Sequence, residues 1–134
     1  MTYRHLLQLI LVAASLATSA AGQTGHGGDW PQWHGPDRNN VSRETGLIAQ
    51  WPASGPPLAW SAGGVGAGYG SIAIKDDRIF LQGSAGGRSV VYTLNRADGK
   101  GLWSKAIGAA GSNDRGPGPR STPTIDGDRV YVLT

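Results

Sequence analysis

The chain has 134 residues, including 22 Gly, 8 Pro and five Trp, and carries a formal net charge of +3. These residues include no cysteine, which excludes disulfides, cysteine-ligated zinc and thiol catalysis. The basic residues are scattered among acids, which argues against a nucleic-acid-binding stripe. Glycine-rich turns between β-branched and aromatic runs predict an all-β fold of short strands.

Residues 1–22 have the pattern of a secretory signal peptide. Arg4 and His5 form a short positive region, an apolar run covers 6–14, and Ser19-Ala20-Ala21 matches a small-x-small cleavage pattern. The apolar run is shorter than the roughly 20 residues of a membrane-spanning helix, although an uncleaved anchor is the alternative. We therefore expect a periplasmic or extracellular protein with no stable membrane span after cleavage.

Residues 23–57 are predicted to be an irregular N-terminal segment, because prolines, glycines and an Asn-Asn pair interrupt regular structure. Trp30 and Trp33 lie three residues apart within it. Large aromatic side chains in an irregular segment usually lie against a hydrophobic surface. We expect these two rings to clamp the segment to a folded domain, with ligand stacking as the alternative.

The sequence repeats itself downstream. Residues 71–81 align with residues 122–132 at a constant offset of 51 (122 minus 71). Three aligned pairs are identical: Ile74 and Ile125, Asp77 and Asp128, Arg78 and Arg129. Each copy reads as strand, tight polar turn and strand, because an Asp-Asp or Asp-Gly pair reverses the chain between two β-branched runs.

The first copy opens a unit of four predicted strands, at about 71–75, 78–83, 89–95 and 101–106. Leu58-Ala59-Trp60-Ser61 resembles Leu102-Trp103-Ser104, and Trp60 is therefore expected in the outer strand of a unit whose other strands come from the far C-terminus. A four-stranded antiparallel unit recurring at about 50 residues is typical of a propeller blade.

The Asp98-Gly99-Lys100 turn followed by Leu102-Trp103 resembles the repeat of pyrroloquinoline-quinone (PQQ)-type propellers. Residues 29–36 resemble the N-terminal segment of exported PQQ-binding-like repeat proteins, except that His34 replaces an expected arginine. These are similar in fold to the propeller lipoprotein of the outer-membrane β-barrel assembly machinery. Over residues 29–134, the resemblance implies an incomplete PQQ-like propeller in 58–134, with one full blade and parts of two others.

The resemblance also implies roles for single residues. Trp60 and Trp103 are expected to dock neighbouring blades, each indole N–H meeting a carbonyl. The loop at 108–120 would lie on a propeller rim, where Asn113, Arg115 and Arg120 are candidate contacts to protein or envelope partners. A solvated linker is the alternative for this loop. Because only part of a ring is present, we expect an N-terminal fragment that is marginally folded by itself.

No catalytic, cofactor-binding or metal-ligating residue is predicted. His34 has no partner at ligand spacing, the aspartates lie in turns, and the glycine-rich stretch 63–70 precedes a strand rather than the helix of a phosphate loop. The expected function is a non-catalytic binding or scaffold module acting through rim loops. The alternative is a fragment of a PQQ-dependent quinoprotein dehydrogenase, which would require PQQ and calcium.

Overall fold

The structure is a computed structural model that describes residues 28–134. The predicted signal peptide and its cleavage site lie outside these residues. Every regular element described is a β-strand and every pairing is antiparallel, so the all-β prediction is confirmed. Residues 28–134 contain no helix long and apolar enough to cross a membrane.

The largest element is a four-stranded antiparallel sheet in the order β1-β2-β3-β4, as the sequence predicts. Its strands are β1 (Ala73–Lys75), β2 (Arg78–Ala85), β3 (Arg88–Asn95) and β4 (Gly101–Ala109). Its central strands alternate between faces, and burial reaches both faces: Ile79 and Leu94 point to one, Phe80 and Val91 to the other. The sheet therefore carries the core of the described chain.

The second copy of the repeat forms a separate hairpin of β7 (Thr124–Asp126) and β8 (Arg129–Tyr131). Its register matches the first copy, because Ile125 pairs with Val130 as Ile74 pairs with Ile79. The turns match as well: Asp76 has φ 54° and Gly127, at the equivalent position, has φ 56°. The predicted hairpin in each copy is confirmed.

The predicted loop at 108–120 is more ordered than expected. Strand β4 continues to Ala109, because Ala109 pairs with Arg88 at the start of β3. A short ladder then joins β5 (Ser112–Asn113) to β6 (Gly116–Pro117). The sequence did not indicate these short pairings, because the glycines and prolines of this segment are typical of a loop. Residues 58–61 were predicted to be a strand and form none, because no neighbouring strand runs alongside them within the described residues.

The glycine-rich stretch 63–70 crosses the end of β2 at backbone contact distance. Ala67 and Ser84 exchange two backbone hydrogen bonds of 3.0 and 2.7 Å. A Cβ atom at Gly83 would collide with the carbonyl oxygen of Val65, and one at Gly66 would lie 2.5 Å from Ser84 O. Glycine is required here because two backbones cross in contact.

Candidate functional site

Residues Asp29-Trp30-Pro31 form a strap that joins the two repeated hairpins. The N–H of Ile74 in β1 donates to the carbonyl of Trp30 at 2.9 Å, and the N–H of Ile125 in β7 donates to the carbonyl of Pro31 at 2.8 Å. Ile74 and Ile125 are equivalent positions of the repeat. Two consecutive carbonyls of the strap therefore bind the same position of both copies.

The carboxylate of Asp29 anchors the strap to the first hairpin. It accepts a hydrogen bond from Lys75 Nζ at 2.8 Å and another from the backbone N–H of Asp76 at 2.9 Å. The hydrogen bond from the Lys75 ammonium to Asp29 raises the pKa of Lys75, more than partial burial lowers it. Sequence reasoning missed this pair because 46 residues separate the two side chains.

The two strap-region tryptophans have different environments. The ring of Trp30 lies over Gly35, where a Cβ atom would come within 2.7 Å of the indole, and the backbone of Trp30 pairs with β1. Trp33 is 60% exposed, and its ring centroid lies 4.9 Å from that of His34. The backbone of Trp30 thus binds the segment to β1, whereas its ring lies on Gly35 of the same segment and Trp33 faces outward; the clamp expected of the two rings stays a prediction.

Trp60 lies against the Asp98-Gly99-Lys100 turn between β3 and β4. Its indole Nε1 donates to the carbonyl of Arg96 at 3.1 Å, and its ring covers Gly99, where a Cβ atom would lie 2.5 Å from Trp60 Cε3. Gly99 has φ 70°, a left-handed conformation that favours glycine. The turn motif and Trp60 thus act as one unit, with the glycine leaving room for the ring.

Trp103 occupies the edge strand β4. Its ring meets Phe80 edge-on at a centroid distance of 6.3 Å, while 44% of the residue stays exposed. Phe80, Thr93 and Trp103 lie opposite one another on neighbouring strands and so share one face of the sheet. Docking of neighbouring blades by Trp60 and Trp103 stays a prediction.

Residues 110–121, named here the Arg120 loop, contain all three predicted rim contacts. The guanidinium of Arg120 donates to the carbonyls of Gly118 at 3.2 Å and Gly116 at 3.1 Å, and to Oδ1 of Asn113 at 3.1 Å. Its Cζ also lies 5.0 Å from the ring centroid of Tyr69, in a cation–π arrangement. Arg120 therefore orders the loop from within.

The tip of the Arg120 loop is held by Asn113 and presents Arg115. Asn113 Oδ1 also accepts the backbone N–H of Arg115 at 2.9 Å, closing an Asx turn. The side chain of Arg115 makes no hydrogen bond or ion pair with the rest of residues 28–134, whereas Tyr69 is 63% exposed beside Arg120. Sequence reasoning missed Tyr69, an aromatic residue within a glycine-rich stretch.

A groove of about 1330 Å³ lies between the strap, residues 36–45 and the first strands of the two hairpins. Its basic side chains are engaged locally: Arg43 meets Asp37 at 2.6 Å, Lys75 meets Asp29, and Arg38 Nε donates to Gln32 at 3.0 Å. Within residues 28–134, no three His, Asp or Glu side chains are arranged to hold a metal ion.

Comparison of the chain with protein-family models, with curated proteins and with solved structures found no match.

Proposed function

We propose that the chain is an exported, non-catalytic binding or scaffold module of the quinoprotein-type propeller repeat class, which binds a protein or envelope partner through the Arg120 loop. The observation that carries this proposal is that Arg120 orders the loop by donating hydrogen bonds to the loop's own carbonyls and to Asn113. A loop ordered before binding loses little conformational entropy when a partner docks.

The chemistry of the exposed residues suits a protein surface. Tyr69 offers an exposed ring that Arg120 holds in place, and Arg115 offers a guanidinium with no partner in the described part of the chain. Tyrosine and arginine are the residue types most often found at energetically dominant positions of protein interfaces. Trp60 and Trp103 then have the structural role of holding repeat units together.

Site-specific photo-crosslinking tests the proposal. A photoreactive amino acid replaces Arg115 in the full chain, which is expressed in a bacterial host, and cross-linked products are examined in the envelope fraction. We expect a discrete product from position 115, reduced several-fold by the additional change Arg120→Gln, which releases the loop.

Lys100 is the matched control position, because it lies at the opposite end of the sheet in an exposed turn. Identical products from positions 115 and 100 would contradict a specific loop interface. A second measurement adds PQQ and calcium to the purified full chain. A bound quinone spectrum with dye reduction would replace the scaffold proposal by the dehydrogenase alternative.

A further inference from the structure

The dipeptide Asp-Gly occurs twice in the chain, at Asp98-Gly99 and at Asp126-Gly127. An aspartate followed by glycine can cyclise, because the backbone nitrogen of the glycine can attack Cγ of the aspartate and close a five-membered imide. Glycine favours this step, since it has no Cβ to crowd the ring and adopts many backbone conformations. The two pairs have the same chemistry, so their surroundings decide which of them reacts.

The first pair is held in an unreactive arrangement. The N–H of Gly99 donates to the carbonyl of Asn95 at 2.9 Å, and the Trp60 ring covers the glycine. The Asp98 carboxylate accepts hydrogen bonds from the backbone N–H of Lys100 at 3.1 Å and from its Nζ at 2.9 Å. The hydrogen bond from the Lys100 ammonium lowers the pKa of Asp98, which disfavours the neutral acid that loses water during cyclisation.

The second pair has none of these restraints within the described chain. Asp126 is exposed, and its carboxylate has no hydrogen-bond or ion-pair partner among residues 28–134. The N–H of Gly127 has no acceptor in the same range, and no atom lies within 4 Å of its would-be Cβ. The nitrogen and the carboxyl group that must react are therefore both unrestrained.

The first copy of the repeat shows that this freedom is a local property of the second turn. Asp76, at the position equivalent to Gly127, donates its N–H to the Asp29 carboxylate at 2.9 Å, and Gly127 has no equivalent bond. Exposure of the turn does not depend on the strands beside it, since Asp76 and Asp77 are exposed although β3 pairs with their hairpin.

We propose that Asp126 is a site of spontaneous isomerisation to isoaspartate, which releases the second hairpin from the strap. The nitrogen of Gly127 attacks Cγ of Asp126. The N–Cγ bond forms as the Cγ–OH bond breaks, and the hydroxyl group and the amide proton leave as water. Water then adds to the imide at the former backbone carbonyl of Asp126, whose bond to nitrogen breaks. The chain now runs through Cβ and Cγ, the former backbone carbonyl is a free carboxylate, and nothing is oxidised or reduced.

Isomerisation inserts one extra carbon atom into the backbone at the turn. The turn has two residues, since Asp126 pairs with Arg129, and a turn of this length fixes the register of its strands. Ile125, the preceding residue in β7, donates its N–H to Pro31 of the strap at 2.8 Å. A longer backbone beside Ile125 displaces this donor. The strap then keeps its bonds to the first copy and loses the one to the second, whatever the function of the Arg120 loop.

The test incubates the full chain in water enriched in the heavy oxygen isotope, because each hydrolysis of the imide fixes one oxygen atom from water. Mass spectrometry of proteolytic peptides locates the label, and chromatography separates isoaspartyl from aspartyl peptides of equal mass. We expect labelling at Asp126 to be about tenfold faster than at Asp98, since Asp98-Gly99 must first lose at least one hydrogen bond. In concentrated urea the two sites should react at similar rates. Equal rates in the folded chain, or a faster rate at Asp98, would overturn the proposal.

Two further measurements test the ring closure and its consequence. Asp126→Glu cannot form the five-membered imide, so it should abolish labelling at position 126 and leave Asp98 unchanged. In the isomerised chain, exchange of the Ile125 amide proton should be about fivefold to tenfold faster, the equivalent of one lost hydrogen bond, while that of Ile74 keeps its rate. Labelling that persists at position 126 in the variant, or unchanged exchange at Ile125, would contradict the proposal.

Discussion

The two copies of the repeat form the same hairpin in different surroundings. Both turn through a left-handed residue, Asp76 at φ 54° and Gly127 at φ 56°. Yet β2 runs for eight residues and β8 for three, and Phe80 is 5% exposed where its equivalent Tyr131 is 50% exposed. Local sequence therefore specifies the hairpin, whereas strand length and burial depend on what lies beside it.

The neighbours explain this difference. β3 supplies a partner to every residue of β2 from Arg78 to Ala85, so that β2 continues for five residues beyond Phe80, the partner of the first residue of β1. An isolated two-stranded hairpin is marginally stable in water, and further strands give it a surface to bury. Among residues 28–134, the second hairpin has the strap on one side and no strand on the other, so less of its surface is buried than in the first copy.

The largest expected effect on the free energy of unfolding comes from the aromatic residues at equivalent positions of the two copies, Phe80 and Tyr131. Phe80→Ala should lower the free energy of unfolding by about 3–5 kcal/mol, the range for a buried Phe, and this is sufficient to unfold a marginal domain. Tyr131→Ala should cost less than about 1 kcal/mol because half of the residue is already in solvent. Urea unfolding followed by tryptophan fluorescence measures both changes.

If a variant is already unfolded without urea, its destabilisation is detected as a loss of NMR chemical-shift dispersion for the residues of β2 and β3. Equal losses from the two variants would show that Tyr131 is covered in solution, and the asymmetry between the copies would then be withdrawn.

A second prediction concerns the β3–β4 turn, which only the first copy has within the described residues. Gly99→Ala should destabilise the chain by about 2–3 kcal/mol. Roughly 1–2 kcal/mol arises from the left-handed backbone, and the rest from the new Cβ meeting the Trp60 ring. Urea unfolding measures the loss, and the emission of Trp60 should shift to the red as its ring is displaced.

Gly86→Ala is the matched control, because Gly86 also has a left-handed φ, 57°, but no atom lies within 4 Å of its would-be Cβ. The difference between the two variants isolates the contact with Trp60. Equal losses would mean that Trp60 does not lie on the turn, and its structural role would need revision.

The sequence predicted the elements whose signals are local. Alternation in residues 89–95 and the Asp-containing turns were sufficient to place all four strands of the sheet and the second hairpin. The strand expected around Trp60 does not form in the described residues, because a strand requires a partner and the sequence motif shows only one side of the pairing. Beyond the four-stranded sheet, the propeller arrangement stays a prediction.

The candidate site was only partly predictable for the same reason. Asn113, Arg115 and Arg120 were identified from loop length and residue type, but the bond of Arg120 to Asn113 and its contact with Tyr69 depend on how the chain folds back. The strap is another such case. Trp30 and Trp33 look alike in sequence, and the backbone bonds of Trp30 to β1 distinguish them.

The smallest expected effect concerns an ion pair that the strap makes with the first copy and not with the second. Lys75 of the first copy meets the Asp29 carboxylate, whereas the equivalent residue of the second copy is Asp126. Lys75→Met should cost about 0.5 kcal/mol near neutral pH, as for a partly exposed ion pair. Thermal unfolding of the two proteins at a series of pH values measures the difference.

The pH dependence gives this prediction its sign. Since the hydrogen bond to Asp29 raises the pKa of Lys75 in the folded chain, the stabilisation is fully present below the ordinary lysine pKa of about 10.4 and is lost as pH rises through the raised value. The gap in melting temperature between wild type and Lys75→Met should therefore hold to about pH 10 and then close. Lys105→Met, on exposed β4 with no ion pair in the described chain, should show no such step. If the gap stays constant through this range, the Lys75–Asp29 ion pair does not stabilise the strap, which is then held to the first copy by the backbone bonds between Trp30 and Ile74 and by the bond from the Asp76 N–H to Asp29.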